Sequence, residues 1–265
     1  MKEEMNRYWK ENSEIFLKAK DTLSAICHAG MPNWFNDYMD YFIRKSFFNL
    51  TKNINFKDKK ILDIGCGIGR WTKLLQNSNQ VIGIDVEPER LNNAKKNVPQ
   101  SKFIEMSADS LKFKDKSFDL INSITVLQHI PYDDKNRAIR EISRVAKKGA
   151  YLILIELIDM GDDAKHVFPL DYEEWIKKFE REGFKLLSTN GFDYSPLLRL
   201  VRWLNFFRTG KKSLKKKNNR RAISSLDQTL LRPIIWLSYP IERVLSKIMP
   251  PRFARHGGYL FKKIN

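Results

Sequence analysis

The sequence predicts an α/β protein built on a doubly wound, mostly parallel sheet. Two observations carry that expectation. Short apolar runs rich in β-forming residues recur along the middle of the 265-residue chain, several ending in an acid, and helical stretches separate them. Strands alternating with helices pack in that way. The first of these runs also turns through glycines at 65, 67 and 69. Open α/β sheets bind ligands at such carboxyl-edge turns.

Residues 61–70, Ile-Leu-Asp-Ile-Gly-Cys-Gly-Ile-Gly-Arg, read as a buried strand turning sharply into a helix over 71–76. Glycine permits positive φ and lets a ligand approach main-chain N–H groups that a Cβ would shield. The dinucleotide spacing Gly-x-Gly-x-x-Gly is not met, because Arg70 stands where its last glycine belongs. Asp63 falls at the strand's end, facing the pocket, where a carboxylate suits a cationic ligand group better than a pyrophosphate. A Gly-rich turn with a solvated Asp is the plainer reading.

Residues 80–85, Gln-Val-Ile-Gly-Ile-Asp, form the second predicted strand. Asp85 stands at its tip, about twenty residues after the glycines, where a carboxylate accepts hydrogen bonds from both hydroxyls of a ribose. Pro88 suits a first helical turn, and 89–97 reads as a helix. Residues 102–109 read as a third strand ending in Asp109, an acceptor for an adenine amine. Residues 118–130 read as a fourth strand running into a loop. An amphipathic helix is expected over 133–148, with Ile139, Ile142 and Val145 on one face and Gly149 as its stop. The fifth strand is expected over 150–157 and the sixth over 184–194.

Four segments in this order resemble the class I S-adenosylmethionine-dependent methyltransferases of the broad small-molecule group. They are 62–70, 83–85, 108–121 and 126–131, and the resemblance covers roughly residues 55 to 190. It implies a Rossmann-like seven-stranded sheet whose last strand, here 258–264, is antiparallel. It implies S-adenosyl-L-methionine as cofactor. Asp63, Gly65, Cys66, Gly67 and Gly69 would lie against its methionine and ribose parts. Asp85, with Val86 beside it, would hold the ribose, and Asp109 beside Ala108 the adenine. Ser123 and Ile124 would lie near the methionyl group. Ile124 departs from the family pattern, since relatives often carry a polar residue there.

The reaction implied is direct methyl displacement, to an oxygen of a small-molecule, glycan or lipid-linked acceptor. His129, in the loop after the fourth strand, is the candidate base for an acceptor hydroxyl. The alternative is a structural histidine tying that loop to a carbonyl. His28, His166 and His256 have weaker claims. Four scattered His and two Cys show no metal-ligand spacing, so no metal is expected. Two cysteines make no disulfide framework, and residues 1–6 show no apolar leader. A reducing, cytoplasmic setting is the expectation.

The chain divides into a helical cap (1–55), the cofactor-binding core (56–194), a basic helical insert or lid (195–255) and the last strand (256–265). Helices are expected near 4–20 and 33–49 of the cap. His28, Trp34 and Phe35 are candidates for touching the acceptor. The favoured reading of Trp34 and Phe35 is as part of an apolar stripe with Tyr38, Phe42 and Phe47, packed to the core. The insert is strongly basic. Residues 195–265 hold 17 Lys and Arg against Asp227 and Glu242 alone, so most of the chain's net charge of +17 sits there. Residues 197–207 and 230–249 are apolar segments flanking the basic run 211–221. Pro233, Pro240 and charged residues argue against a transmembrane span.

Apolar faces beside basic clusters suit an anionic membrane surface, approached through 197–249 from the inner face. A lid packed on the core is the second reading. Nucleic acid is the third, and it lacks aromatics interleaved with the charge. Two rivals to the main reading are a nucleoside-fold module that docks without catalysis and an RNA methyltransferase. A Rossmann-type oxidoreductase is disfavoured by Arg70.

Overall fold

The computed structural model describes residues 7–9, 33–158, 166–194 and 225–265. Seven strands form one sheet: β1 (Lys60–Ile64), β2 (Gln80–Asp85), β3 (Lys102–Glu105), β4 (Phe118–Ile124), β5 (Ala146–Leu157), β6 (Phe184–Phe192) and β7 (His256–Lys263). Their order is β3-β2-β1-β4-β5-β7-β6. β7 lies antiparallel between β5 and β6, and the other pairs are parallel. The strand order reverses between β1 and β4, the position at which open sheets form a ligand crevice.

The helices are α1 (Asn33–Thr51), α2 (Arg70–Leu75), α3 (Pro88–Asn97), α4 (Tyr132–Val145), α5 (Tyr172–Arg181) and α6 (Ser225–Ile248). Strand residues alternate between the two faces, as a period of two requires. Leu62, Ile64, Ile121, Leu152 and Leu154 join α4 and α5 in one core. Ile61, Leu120, Ile153 and Ile155 join α1 and α2 in the other, with Tyr38, Phe42 and Phe47 as the α1 stripe. A third cluster packs Cys66 against Leu91, Ala94 and Val98 of α3 and Phe103 of β3. Each side chain fully buried in these layers contributes about 1.5–3 kcal/mol.

Three element boundaries bear on the sequence reading: the end of β4 is where the expected strand runs into its loop, and the other two correct it. β3 ends at Glu105, so Asp109 lies in the loop beyond it. β4 ends at Ile124. α4 ends at Val145 and β5 starts at once, leaving Gly149 inside the strand at φ 83° rather than at a helix end. The cause is edge pairing. Ala146 pairs with Phe118 and Tyr151 with Leu120, and the register shift between them takes up the intervening residues. Lys147 Nζ meets Asp119 at 2.8 Å, so the polar Lys-Lys-Gly run is held as strand.

The expected helix near 4–20 is described only at Arg7, Tyr8 and Trp9, which are helical. His28 and the segments 197–207 and 211–221 lie outside the described residues. The later apolar segment, 230–249, falls within α6 except for Met249. Pro233 and Pro240 sit inside that helix, and both are exposed.

Candidate active site at the carboxyl edge of the sheet

The turn after β1 is held by its neighbours on every side. Gly65, Gly67 and Gly69 have φ of 63°, 53° and 86°, all left-handed. Cys66 N–H donates to the Ile84 carbonyl at 2.9 Å, which ties the turn to β2. A Cβ on Gly65 would stand 2.4 Å from Val126 Cγ2. A side chain at Gly83 would strike Cys66 Sγ at 2.8 Å. The glycines therefore bring the turn, β2 and the loop after β4 into contact.

Asp85 closes this arrangement. Its Oδ2 accepts the Gly67 N–H at 2.9 Å and its Oδ1 the Glu87 N–H at 3.0 Å. An ionised carboxylate has about four lone-pair sites, so about two remain for hydroxyl donors. The bare backbone at Gly67 and this acceptor at a strand tip form a cradle that fits the nucleoside of S-adenosylmethionine. Val86 beside it is exposed.

Asp63 lies one layer beneath. It is fully buried, accepts from Thr72 Oγ1 at 2.6 Å and from Asn122 Nδ2 at 2.8 Å, and so braces α2 and β4 under the glycine turn. Burial pushes its carboxyl up to about 6, against the pull of those two hydrogen bonds. Burial, with the charges of Asp63 and Asp85, also pushes the Cys66 thiol up, keeping it neutral and unreactive.

The loop after β4 is set by a second buried carboxylate. Glu156, on β5, accepts the N–H groups of Val126 (3.2 Å), Leu127 (2.9 Å) and Gln128 (3.0 Å). Burial pushes it up to about 7. Gln128 Oε1 takes the Leu157 N–H at 2.7 Å. That contact turns the Gln128 amide nitrogen toward His129 Nε2, at 3.3 Å. His129 Nδ1 lies 2.9 Å from the His166 carbonyl oxygen, so that nitrogen carries the proton and donates. The tie to a carbonyl is thus present, and the lone pair on Nε2 accepts the Gln128 amide N–H. Just upstream, Ser123 and Ile124 are buried, and Thr125 has φ 57°. A β-branched residue there is strained. The Thr125 N–H donates to the Ile155 carbonyl at 2.7 Å, which holds it in place.

Tyr8 and Trp9 were not singled out from sequence, yet they reach this loop. The Trp9 ring meets His129 edge-on at 4.8 Å and carries the Arg90 guanidinium over its face at 5.1 Å. Tyr8 stacks on His166 at 4.2 Å. The aromatic pair within a polar stretch was the only sequence signal. Glu156 was equally missed, though a lone acid in an apolar strand is a flag in itself.

Ala108 is buried beside Asp109. Asp109 takes a hydrogen bond from Ser107 Oγ and lies 3.5 Å from Arg137 Nη2, at the edge of an open cleft of about 330 Å³ that Ser110, Arg140 and Glu141 also line. Trp34 and Phe35 are partly buried against the α1 core, at 6.2 Å from each other. No group of His, Cys, Asp and Glu among the described residues is placed to hold a metal.

Residues 62–154 match the family model described as "Methyltransferase domain". The chain is 32% identical over 179 residues to the ubiquinone/menaquinone biosynthesis C-methyltransferase of Campylobacter jejuni, covering 52% of this chain and 75% of that one. It is 30% identical to an uncharacterized protein of Methanocaldococcus jannaschii, over 63% of this chain and 76% of that one. It is 38% identical to the demethylmenaquinone methyltransferase of Lactiplantibacillus plantarum, over 36% of this chain and only 44% of that relative's length. Among solved structures, the (4+2)-cyclase SpnF superposes with a TM-score of 0.59 at 16% identity, over 98% of this chain and 97% of that one. Such low identity shows the fold alone. The sheet, the glycine turn and the acid-tipped second strand define a nucleoside-binding α/β enzyme. The chain belongs to the class I S-adenosylmethionine-dependent methyltransferases, and S-adenosylmethionine is its cofactor.

Proposed function

We propose that the protein methylates an oxygen of a small-molecule, glycan or lipid-linked acceptor by direct displacement. The observation that supports this reading most is that the loop bearing His129 packs through Val126 on Gly65, in the same glycine turn whose Gly67 amide Asp85 accepts. S-adenosylmethionine supplies a methyl group already activated on a sulfonium. The chain's task is alignment, and well-oriented bound pairs account for about 7–11 kcal/mol of barrier reduction.

In this reading Asp85 holds the ribose hydroxyls, Asp109 the adenine amine, and the backbone around Gly67 lies under the methionyl part. Ser123 and Ile124 floor the methionyl end. His129 Nε2 takes the acceptor's proton once the acceptor hydroxyl displaces the Gln128 amide from it, with Nδ1 fixed by the His166 carbonyl. A positioned base of this kind contributes typically about 10²–10⁴-fold. The names of the relatives support a lipophilic ring acceptor, since several are quinone-biosynthesis methyltransferases. The Trp9 ring beside His129 offers such a ring a flat neighbour.

The test has two stages. Calorimetry with S-adenosylhomocysteine asks whether the cradle binds the nucleoside. Incubation with isotopically labelled S-adenosylmethionine and a panel of phenolic, quinol and sugar acceptors then asks for labelled product by mass spectrometry. Binding without transfer to any hydroxyl, combined with transfer to carbon or nitrogen, would replace the oxygen reading.

A further inference from the structure

The outer face of α6 presents a continuous apolar stripe that nothing among the described residues covers. Trp236, Leu237, Ile241, Val244 and Ile248 are all exposed, Trp236 by 73% and Ile248 by 70%. Positions 237, 241, 244 and 248 recur at the three-and-four spacing that puts side chains on one helix face. Met249 and Phe253 extend the stripe past the helix end. The opposite face is the packed one. Ser238 and Glu242 are buried, Tyr239 packs on Tyr38, Tyr41 and Phe42 at 4.9–5.6 Å, and Glu242 accepts the Tyr194 N–H at 3.0 Å. Among the described residues, α6 is therefore anchored on one side and open on the other.

Charge decides what fits that open side. Arg243 and Lys247 are exposed along one border of the stripe, and Arg252 stands beyond its end, with its guanidinium 5.0 Å over the Phe253 ring. Lys45 of α1 joins them, bonded to Ser246 Oγ at 3.1 Å. Burial, and then the charges of Arg243 and Lys247, hold the Lys45 ammonium below its ordinary range, so three cations crowd one place. The acid in this stretch, Glu242, is fully buried and turned to the Tyr194 amide. Apolar side chains bordered by cations, with Trp at the margin, are the composition of a helix lying in a lipid interface. No described helix is long and apolar enough to cross a membrane.

We propose that this face of α6 docks the protein on an anionic lipid surface, with Trp236, Leu237, Ile241, Val244 and Ile248 in the acyl boundary and Arg243, Lys247 and Arg252 among the headgroups. The helix then lies in the plane of the bilayer. This surface is independent of the methyl-transfer reading, since it uses none of the residues of the cradle.

Co-sedimentation of the full chain with vesicles of phosphatidylcholine alone, and with one third phosphatidylglycerol, tests it. The expected result is binding to the anionic vesicles that weakens steeply with salt. Val244→Glu with Ile248→Glu lowers that partitioning by on the order of 100-fold, because two charges enter the acyl boundary. Arg243→Gln with Lys247→Gln lowers it by roughly 30-fold at low salt. Both pairs are exposed, so the thermal melting temperature stays unchanged and serves as the folding control. Trp236→Phe removes a vesicle-induced blue shift of the tryptophan emission. The proposal is overturned by full binding in the glutamate variant, which would leave docking to the basic run 211–221. It is equally overturned if anionic vesicles fail to bind the native chain while the glutamate variant converts a dimer to a monomer, which would assign the stripe to a second copy.

Discussion

Asp85 accepts the Gly67 amide at 2.9 Å, so the tip of the second strand fixes the turn that leaves the first. The glycine turn and the tip of β2 are one hydrogen-bonded unit. A group that binds Asp85 therefore also feels the conformation of the glycine turn. Asp85→Ala removes the proposed acceptor for the ribose and frees the turn together. The expected loss is about 100-fold in S-adenosylhomocysteine affinity, on the order of 3 kcal/mol, as for buried charge-assisted bonds. Calorimetry checks it. Native affinity in the variant would take Asp85 out of the site.

Gly65 and Val126 couple that turn to the loop bearing His129. A methyl on Gly65 meets Val126 Cγ2 at 2.4 Å and sits at φ 63°, so Gly65→Ala is strained in backbone and in packing. A destabilisation of about 2–4 kcal/mol is expected, from overpacking plus the left-handed penalty. Val126→Ala relieves only the packing part. The double-mutant cycle, measured by urea unfolding, should show a coupling of about 1–2 kcal/mol in the favourable direction. Strict additivity would mean that the two loops do not meet in solution.

Glu156 gives the site a pH dependence whose sign follows from its burial. Its carboxyl rises from an ordinary value of 4.5 to about 7 in the folded chain. Between those values the folded state holds a proton that the unfolded state has released. The contribution of Glu156 to stability is therefore greatest below about 4.5 and is lost as pH rises through 7, by up to about 3 kcal/mol. Asp63, raised to about 6, adds a fall of the same sign over a narrower window. Glu156→Gln should flatten the upper part of this slope, with an overall loss because an amide N–H₂ then faces the N–H groups of the 126–128 loop. Melting temperatures of the two proteins from pH 5 to 8 distinguish them. Parallel curves would contradict the assignment.

Much of this was legible beforehand because it depends on local pattern. The apolar runs gave β1, β2 and β5, and the alternate glycines gave the turn. Asp85 stands where the spacing from the glycines placed it. What stayed hidden depends on contacts far apart in sequence. The bracing of Asp63 by Thr72 and Asn122, and its full burial, depend on partners on α2 and β4. The Lys147–Lys148–Gly149 run looked like a helix end because its pairing partner Phe118 lies on another strand. Trp9 touches His129 from more than a hundred residues away, a relation that no periodicity encodes. Glu242 was counted only as a charge opposing membrane insertion. Its burial against Tyr194 is what frees the other face of α6.

That burial makes Glu242 the anchor of α6. Both carboxylate oxygens lie 3.0 Å from the Tyr194 nitrogen, just past the end of β6, and Tyr194 Oη returns a bond to the Met249 carbonyl at 2.9 Å. Glu242→Ala leaves a buried N–H without its acceptor, which costs about 1–3 kcal/mol. The effect should be local. Amide exchange should speed up along α6 and around Tyr194, while β1, β2 and S-adenosylhomocysteine affinity stay as in the native chain. Glu242→Gln keeps an oxygen for the amide and should restore most of the protection. Uniformly faster exchange across the sheet would mean instead that α6 is part of the cooperative core.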